Sequence, residues 1–251
     1  MGKATSSVRA PYLRQLTLEH GDQPMPEGFP FSIPAFKGGI HLQLTKPVTI
    51  FVGDNGSGKS TLMEALAWSC GFNLAGGNRN HTPMGGGSAP KPALMEKLRL
   101  GWLPKIGEGF FFRAESFFNF ASYIDQLGAA VLDSYGGKSL HDQSHGEAFL
   151  ALFHHRFGRP GIYILDEPEA ALSPKRQLAL LRVIHDMEAT GKVQFIIATH
   201  SPLLLTYPTA DLYLFSSAGI QPTKLEDLEH YTLVRSFLES PERFYRHLFA
   251  E

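Results

Sequence analysis

The sequence predicts an α/β fold, a mostly parallel sheet flanked by helices, and three observations predict it. Residues 48–52 (VTIFV), 162–165 (IYIL) and 193–198 (VQFIIA) are continuous apolar runs rich in β-branched side chains. Such runs read as strands buried on both faces, which is the habit of parallel sheets. Stretches with helical spacing alternate with them, the order that builds an α/β sheet. The first run also passes directly into a glycine-rich turn, residues 53–61, and then into a helical pattern.

Taken in chain order, residues 12–19 (YLRQLTLE) alternate in part and predict an exposed strand. The Pro-rich stretch 21–34 predicts a loop, and residues 40–44 (IHLQL) a second alternating strand. These form an N-terminal antiparallel strand region ahead of the buried strand 48–52. Leu62, Leu66 and Cys70 recur every four residues and predict a helix. Residues 71–92 are rich in Gly, Asn, Ser and Pro and predict a long loop. The aromatic segment 110–120 (FFFRAESFFNF) predicts a strand and a turn packed into the core. Residues 124–133 and 144–157 predict helices. Residues 177–188 predict another, with Leu178, Leu181 and Ile184 on one face. Residues 213–215 predict a late edge strand, and 227–249 a helical end with Pro241 as a start or a break. The organisation expected is one domain over 1–251, with a core of about 40–215, a helical subdomain of about 94–160 and a C-terminal helical extension of about 227–251.

Composition narrows the function classes. The chain has 251 residues, 43% hydrophobic and 19% charged, which excludes a disordered or fibrous class. Its formal net charge is −1 with His neutral, so nucleic-acid contact would need a local basic patch. The single cysteine, Cys70, excludes an intrachain disulfide framework and fits a reducing compartment. No apolar run approaches the ~18 residues of a membrane span. A soluble, cytoplasmic protein is expected.

Residues 53–60 fit G-x-x-x-x-G-K-[ST] at every fixed position. The four constrained positions co-occur by chance in roughly one chain in a hundred of this length. The strand before and the helix after are the context the motif requires. Asn55, Gly56, Ser57, Gly58, Lys59, Ser60 and Thr61 are the phosphate-binding candidates. Glycines let successive N–H groups turn toward phosphate oxygens, and the following helix offers its positive end. Lys59 supplies a point charge for the β- and γ-phosphates, and Ser60 a hydroxyl for Mg²⁺. ATP and Mg²⁺ are the expected ligands. The strand 162–165 ends in Asp166 and Glu167. Asp166 suits Mg²⁺. Glu167, one residue on, suits polarising a water at the γ-phosphate. His200 follows the strand 193–198 and suits donation to a γ-phosphate oxygen.

The segments GDNGSGKST, YILDEPEAALSP and ATHSP together resemble an ATP-binding-cassette ATPase head, over about residues 40–215. Gln143-Ser144-His145-Gly146-Glu147 lies where that family carries its Leu-Ser-Gly-Gly-Gln/Glu signature, and Ser144, Gly146 and Glu147 match it. The resemblance implies an ATP-dependent homodimer. Two heads meet head-to-tail, with Ser144 and the backbone at Gly146 of one binding the γ-phosphate held by the other, and Glu147 part of the same nucleotide-binding segment. It implies Glu167 as catalytic glutamate, His200 as switch histidine and residues 170–173 as the interface loop. The family's glutamine loop falls at 110–120, where no Gln stands; Glu115 is the nearest polar substitute. This departure points away from transporter subunits toward the soluble branch. That branch includes the SMC, RecF and overcoming-lysogenization-defect types and small stand-alone bacterial ATPases. About eighty residues separate Lys59 from Ser144 without sustained heptads, so the long arm of the SMC type is absent. The function expected is an ATPase that dimerises on ATP and acts as a conformational switch, in DNA repair or defence, on DNA or a protein partner. The alternatives are a transporter ATPase subunit with separate membrane subunits, a small-molecule kinase and a non-hydrolysing switch. Tyr12, Phe29, Phe31 and Phe36 are the candidates for stacking on adenine.

Overall fold

The computed structural model describes residues 8–19, 26–74, 76–78, 90–116, 122 and 160–249. The helices expected at 124–133 and 144–157 lie outside the described residues, as does most of the expected subdomain of 94–160.

The main sheet runs β5 (Gly109–Arg113), β6 (Gly161–Asp166), β7 (Val193–Ala198), β3 (Val48–Gly53), β8 (Asp211–Ser216), β9 (Gly219–Thr223). All neighbours are parallel except β8 and β9. Strand side chains alternate between faces, and here both faces are dry. Val48, Ile50 and Val52 of β3 join Tyr163, Leu165, Phe195 and Ile197 in one core. Phe51 joins Ile162, Ile164, Ile196 and Ala198 in the other. A strand with two dry faces has no polar alternation, which is why these three runs are continuous in sequence. Full burial of each large aliphatic side chain contributes about 1.5–3 kcal/mol before entropy is charged against it.

Helix α2 (Lys59–Cys70) covers the second face, with Leu62, Met63, Leu66 and Cys70 inward. A small antiparallel sheet packs beside it, in the order β2 (Ile40–Gln43), β1 (Leu13–Leu18), β4 (Leu98–Trp102). Helices α3 (Pro174–Glu188) and α4 (Pro202–Leu205) cover the first face. A short α1 (Pro34–Lys37) precedes β2, and α5 (Glu229–Glu239) and α6 (Pro241–Leu248) follow the sheet. Buried Gln194 of β7 ties the small sheet on. Its Oε1 accepts from the Tyr12 and Leu13 N–H groups at 2.9 Å each, and its Nε2 donates to the Leu13 carbonyl at 2.8 Å.

Four expectations need correction. Strand β1 is not exposed: it lies between β2 and β4, and Leu13, Leu16, Thr17 and Leu18 are buried. Strand β8 is not an edge, because β9 pairs along its whole outer side. Strands β4 and β9 were not expected at all; LRLGW and GIQPT have neither clean alternation nor an apolar run. On α3 the buried residues are Gln177, Leu180, Ile184 and Met187, whereas Leu178 is 55% exposed. The buried Gln177 disguises that face. It is accepted there because its Nε2 donates to the Leu172 carbonyl at 3.1 Å and its Oε1 accepts from the Ser201 hydroxyl. Pro241 starts α6 at a position where a missing N–H costs nothing.

Candidate nucleotide-binding site

Strands β3, β6 and β7 lie side by side, and their carboxyl ends point the same way, with Phe51 beside Ala198 and Asp166 beside Ala198. In open parallel sheets this end, where the chain order changes direction, forms the binding crevice. The loop 53–58 leaves β3 there and turns into α2.

Two glycines make that turn possible. At Gly58, with φ 104°, a Cβ would lie 2.9 Å from Phe36 Cζ and 3.0 Å from Ile33 Cγ2. At Gly53, with φ 151°, it would lie 2.5 Å from the Phe215 carbonyl oxygen. Any side chain would push the loop off α1 or off β8. Lys59, first residue of α2, is buried and folds back over the loop. Its Nζ donates to the Gly53 carbonyl at 2.7 Å and the Asp54 carbonyl at 3.0 Å. Burial pulls its pKa down, while the carboxylates of Glu167, Asp166, Asp54 and Glu169 push it back up. Asn55, Gly56, Gly58, Lys59, Ser60 and Thr61 line a cleft of about 420 Å³, together with Phe29, Ile33, Glu115 and Glu167. Ser57 stands behind the loop, its hydroxyl buried and without a hydrogen-bond partner.

The Ser60 hydroxyl donates to Asp166 Oδ1 at 3.1 Å. Burial drives the Asp166 carboxyl up to about 6, against the pull of the Arg113 guanidinium and the Ser60 hydrogen bond. Ser60 and Asp166 are two hard oxygen donors side by side. Among the described residues no group of three or more His, Cys, Asp and Glu could hold a metal alone. That donor set suits Mg²⁺, which takes one or two protein oxygens and completes its shell with phosphate and water.

Glu167 has φ 50° and ψ 50°, and among the described residues it is the one non-glycine with positive φ. The left-handed conformation costs about 1–2 kcal/mol for such a residue. A hydrogen bond from its N–H to the Ala198 carbonyl, at 2.9 Å, holds it there. The turn aims its side chain, 38% exposed, into the cleft. His200 Nε2 is buried without a hydrogen-bond partner, 3.5 Å from Glu167 Oε1. Burial first, then the Lys59 charge, hold the His200 imidazole below its ordinary pKa, with Glu167 opposing.

The structure thus brings Lys59, Ser60 and Glu167 into one cleft, with Asp166 behind Ser60 and His200 behind Glu167. Ser144, Gly146 and Glu147 lie outside the described residues. Of the four aromatic candidates, Tyr12, Phe31 and Phe36 are buried in the core, and Phe29, 76% exposed, lines the cleft. Residues 170–173, the expected interface loop, include the end of a tight turn, Pro168–Ala171.

Two further residues were not assigned from the sequence. Glu169 Oε1 accepts from the His200 N–H at 2.6 Å and the Ser201 N–H at 3.2 Å, so this buried carboxyl holds the backbone that carries His200. Burial raises its pKa, and the His200 N–H opposes that rise. Its place in DEPE, two residues after Glu167, was the available signal. Arg113 ends β5 opposite Asp166. Its Nε stands 3.9 Å from Asp166 Oδ2, one terminal nitrogen pairs with Glu64, and the other is 3.0 Å from Glu115. Glu115, offered from the sequence as a glutamine substitute, is thus bound to the arginine that faces the metal candidate.

Two family models and a set of solved structures resemble parts or the whole of this chain. A family model described as "AAA domain" matches residues 32–96, and one described as "AAA domain, putative AbiEii toxin, Type IV TA system" matches residues 129–206. The first spans the loop 53–61, the second Asp166, Glu167 and His200. No curated protein matches the chain. Among solved structures, cbiO1 from Clostridium perfringens, part of the ABC transporter complex cbiONQ, aligns with a TM-score of 0.51 at 18% identity, over 95% of this chain and 100% of that one. An ATP binding subunit of an ABC transporter aligns with a TM-score of 0.50 at 15% identity, over 91% of this chain and 99% of that one. At these identities the likeness is one of fold.

Proposed function

We propose that this chain, a P-loop NTPase with the fold of an ATP-binding-cassette ATPase head, hydrolyses ATP and works as an ATP-dependent homodimer. One observation carries the reading: Lys59, Ser60, Asp166, Glu167 and His200 converge at the carboxyl ends of three adjacent parallel strands.

The roles follow from the chemistry of each group. The backbone of residues 55–60 and the first turn of α2 cradle the phosphates. Lys59 exchanges its two carbonyl partners for phosphate oxygens. Ser60 and Asp166 would hold Mg²⁺, which when bound neutralises charge on the β- and γ-phosphates. Glu167 orients a water and accepts its proton as the water oxygen bonds to the γ-phosphorus and the bond to the β-phosphate oxygen breaks, giving ADP and phosphate. His200 Nε2, buried and unpaired, donates to a γ-phosphate oxygen. Phe29 stacks on adenine. Ser144 and the Gly146 backbone of a second copy bind the γ-phosphate from the far side, so ATP draws two heads together and hydrolysis releases them.

The test is turnover per molecule against protein concentration, with Glu167→Gln as control. A per-molecule rate that climbs with concentration and vanishes in the variant supports the reading. A rate flat in concentration sinks the dimer, and a rate untouched by the substitution sinks Glu167. Double-stranded DNA added to the same assay tests a role in DNA repair or defence: a rate that rises with DNA supports it, and a rate indifferent to DNA directs the search to protein partners. A second reading, the ATPase subunit of a transporter, is favoured by the transporter origin of both structural matches. Among the described residues no helix is long and apolar enough to cross a membrane, so that role needs separate membrane subunits.

A further inference from the structure

Helix α5 lies beyond the strands that form the crevice, yet its second residue reaches the site. The His230 ring sits 5.5 Å from the His200 ring, tilted by 47°. Its Nε2 is 3.5 Å from Asp54 Oδ1, on the residue that follows Gly53 in the phosphate loop. One imidazole therefore touches both the loop that would hold the phosphates and the histidine that would face the last of them. The rest of α5 is lightly held: none of its residues is buried. The residue before the helix, Leu228, is buried in the main core, so the first turn of α5 is anchored while the remainder is not.

His200 is fixed by its backbone through Glu169, but its ring has no hydrogen bond at Nε2. Glu167 bounds that nitrogen, and His230 bounds the ring's side. A partly buried imidazole whose Nε2 makes no hydrogen bond keeps its aim only if neighbours exclude its other rotamers. We infer that His230 is a positioning residue for the γ-phosphate site: it braces the His200 ring and ties the first turn of α5 to the phosphate loop through Asp54. The inference rests on the ATPase reading and adds to it. It makes α5 part of what distinguishes ATP from ADP, since only ATP presents a γ-phosphate oxygen to the braced ring.

The experiment measures ATPγS and ADP affinity by calorimetry, and kcat and KM for ATP, in the wild type and in His230→Ala, His230→Phe and Leu238→Ala. For His230→Ala the expected result is about a tenfold loss of ATPγS affinity with ADP affinity changed less than about twofold, and a kcat lowered by about tenfold. His230→Phe keeps a ring against His200 and restores most of the ATPγS preference. Leu238→Ala, on the exposed side of the same helix, changes neither. An unchanged ATPγS-to-ADP ratio in His230→Ala overturns the inference. So does an equal loss in Leu238→Ala, which would assign the effect to helix docking in general. A wild type that hydrolyses ATP beside an indifferent His230→Ala loses only this inference. A wild type whose nucleotide binding ignores Lys59→Ala loses the ATPase reading, and this one with it.

Discussion

Helices α2 and α5 both begin beside the phosphate loop, and they are held in opposite ways. In α2, Lys59, Leu62, Met63, Ala65, Leu66, Ala67 and Cys70 are buried, and the helix is wedged between the two sheets. In α5 nothing is buried, and Leu233 and Leu238 are exposed. The difference separates two tasks. Groups that must meet phosphate oxygens within tenths of an ångström belong on an element that cannot move. His230, inferred to brace one such group, stands on the first turn of α5, which Leu228 anchors, while the rest of that helix has the low local stability that lets a ligand shift it. The contrast predicts large chemical and structural effects on α2 and its neighbours, and small structural but ligand-dependent ones on α5.

The largest effect expected is chemical. Lys59→Ala removes the buried ammonium and abolishes ATP turnover, and Glu167→Gln lowers kcat by about 10²–10⁴ while ATP still binds, both read by phosphate release. If Glu167→Gln lost binding instead, the strained turn at Glu167 would be structural. Next comes packing. Leu66→Ala, wholly buried, costs about 2–5 kcal/mol in denaturant unfolding. Glu169→Ala leaves the His200 N–H without its acceptor, while the Ser201 N–H keeps Thr199 Oγ1 at 3.0 Å; the cost is about 1–3 kcal/mol, and kcat falls without a change in ADP affinity.

Asp166 gives a pH-dependent test. Its folded pKa, about 6, lies above the ordinary carboxylate value of 3.8, so the folded, metal-free protein binds that proton more tightly than the unfolded chain. The associated stability is complete below pH 4 and is lost as pH rises to about 6. Asp166→Asn removes the buried charge. It should stabilise the metal-free protein by up to about 3 kcal/mol at pH 7.5, with the gain shrinking toward pH 4, while Mg²⁺-dependent turnover disappears. A stability gain independent of pH would show that the carboxyl is not the cause. The smallest effect is Leu238→Ala, within about 0.5 kcal/mol. A larger loss would mean that α5 is held as firmly as α2.

What the sequence revealed and what it hid divides along chain distance. The loop 53–60 is contiguous, and its meaning lies in local backbone geometry, so a short pattern specifies it. The strand ends with Asp166, Glu167 and His200 were legible because parallel, doubly buried strands leave continuous apolar runs whose ends mark the crevice. Arg113, Glu169 and His230 act through partners brought near by the fold, and nothing beside them in sequence announces those partners. Edge positions were hidden for another reason. Strands β4 and β9 each have little surface to bury, so their composition is free to look like loop. Gln177 hid the inward face of α3, because a polar side chain satisfied by a carbonyl and a hydroxyl can sit where an apolar one was expected.

The borders of the main sheet limit how copies can join. On one border, β9 carries Pro222, which supplies no backbone donor, and prolines of this kind discourage a further strand from adding on. On the opposite border, the Gly77 and Phe111 backbones exchange hydrogen bonds at 2.8 and 2.9 Å, so part of β5 is already capped by the chain itself. Strand addition, the route by which exposed sheets template aggregates, is disfavoured on both sides. The proposed nucleotide-dependent contact between copies would then draw on loops and helices, which can part again, and not on an extension of the main sheet, which would be permanent.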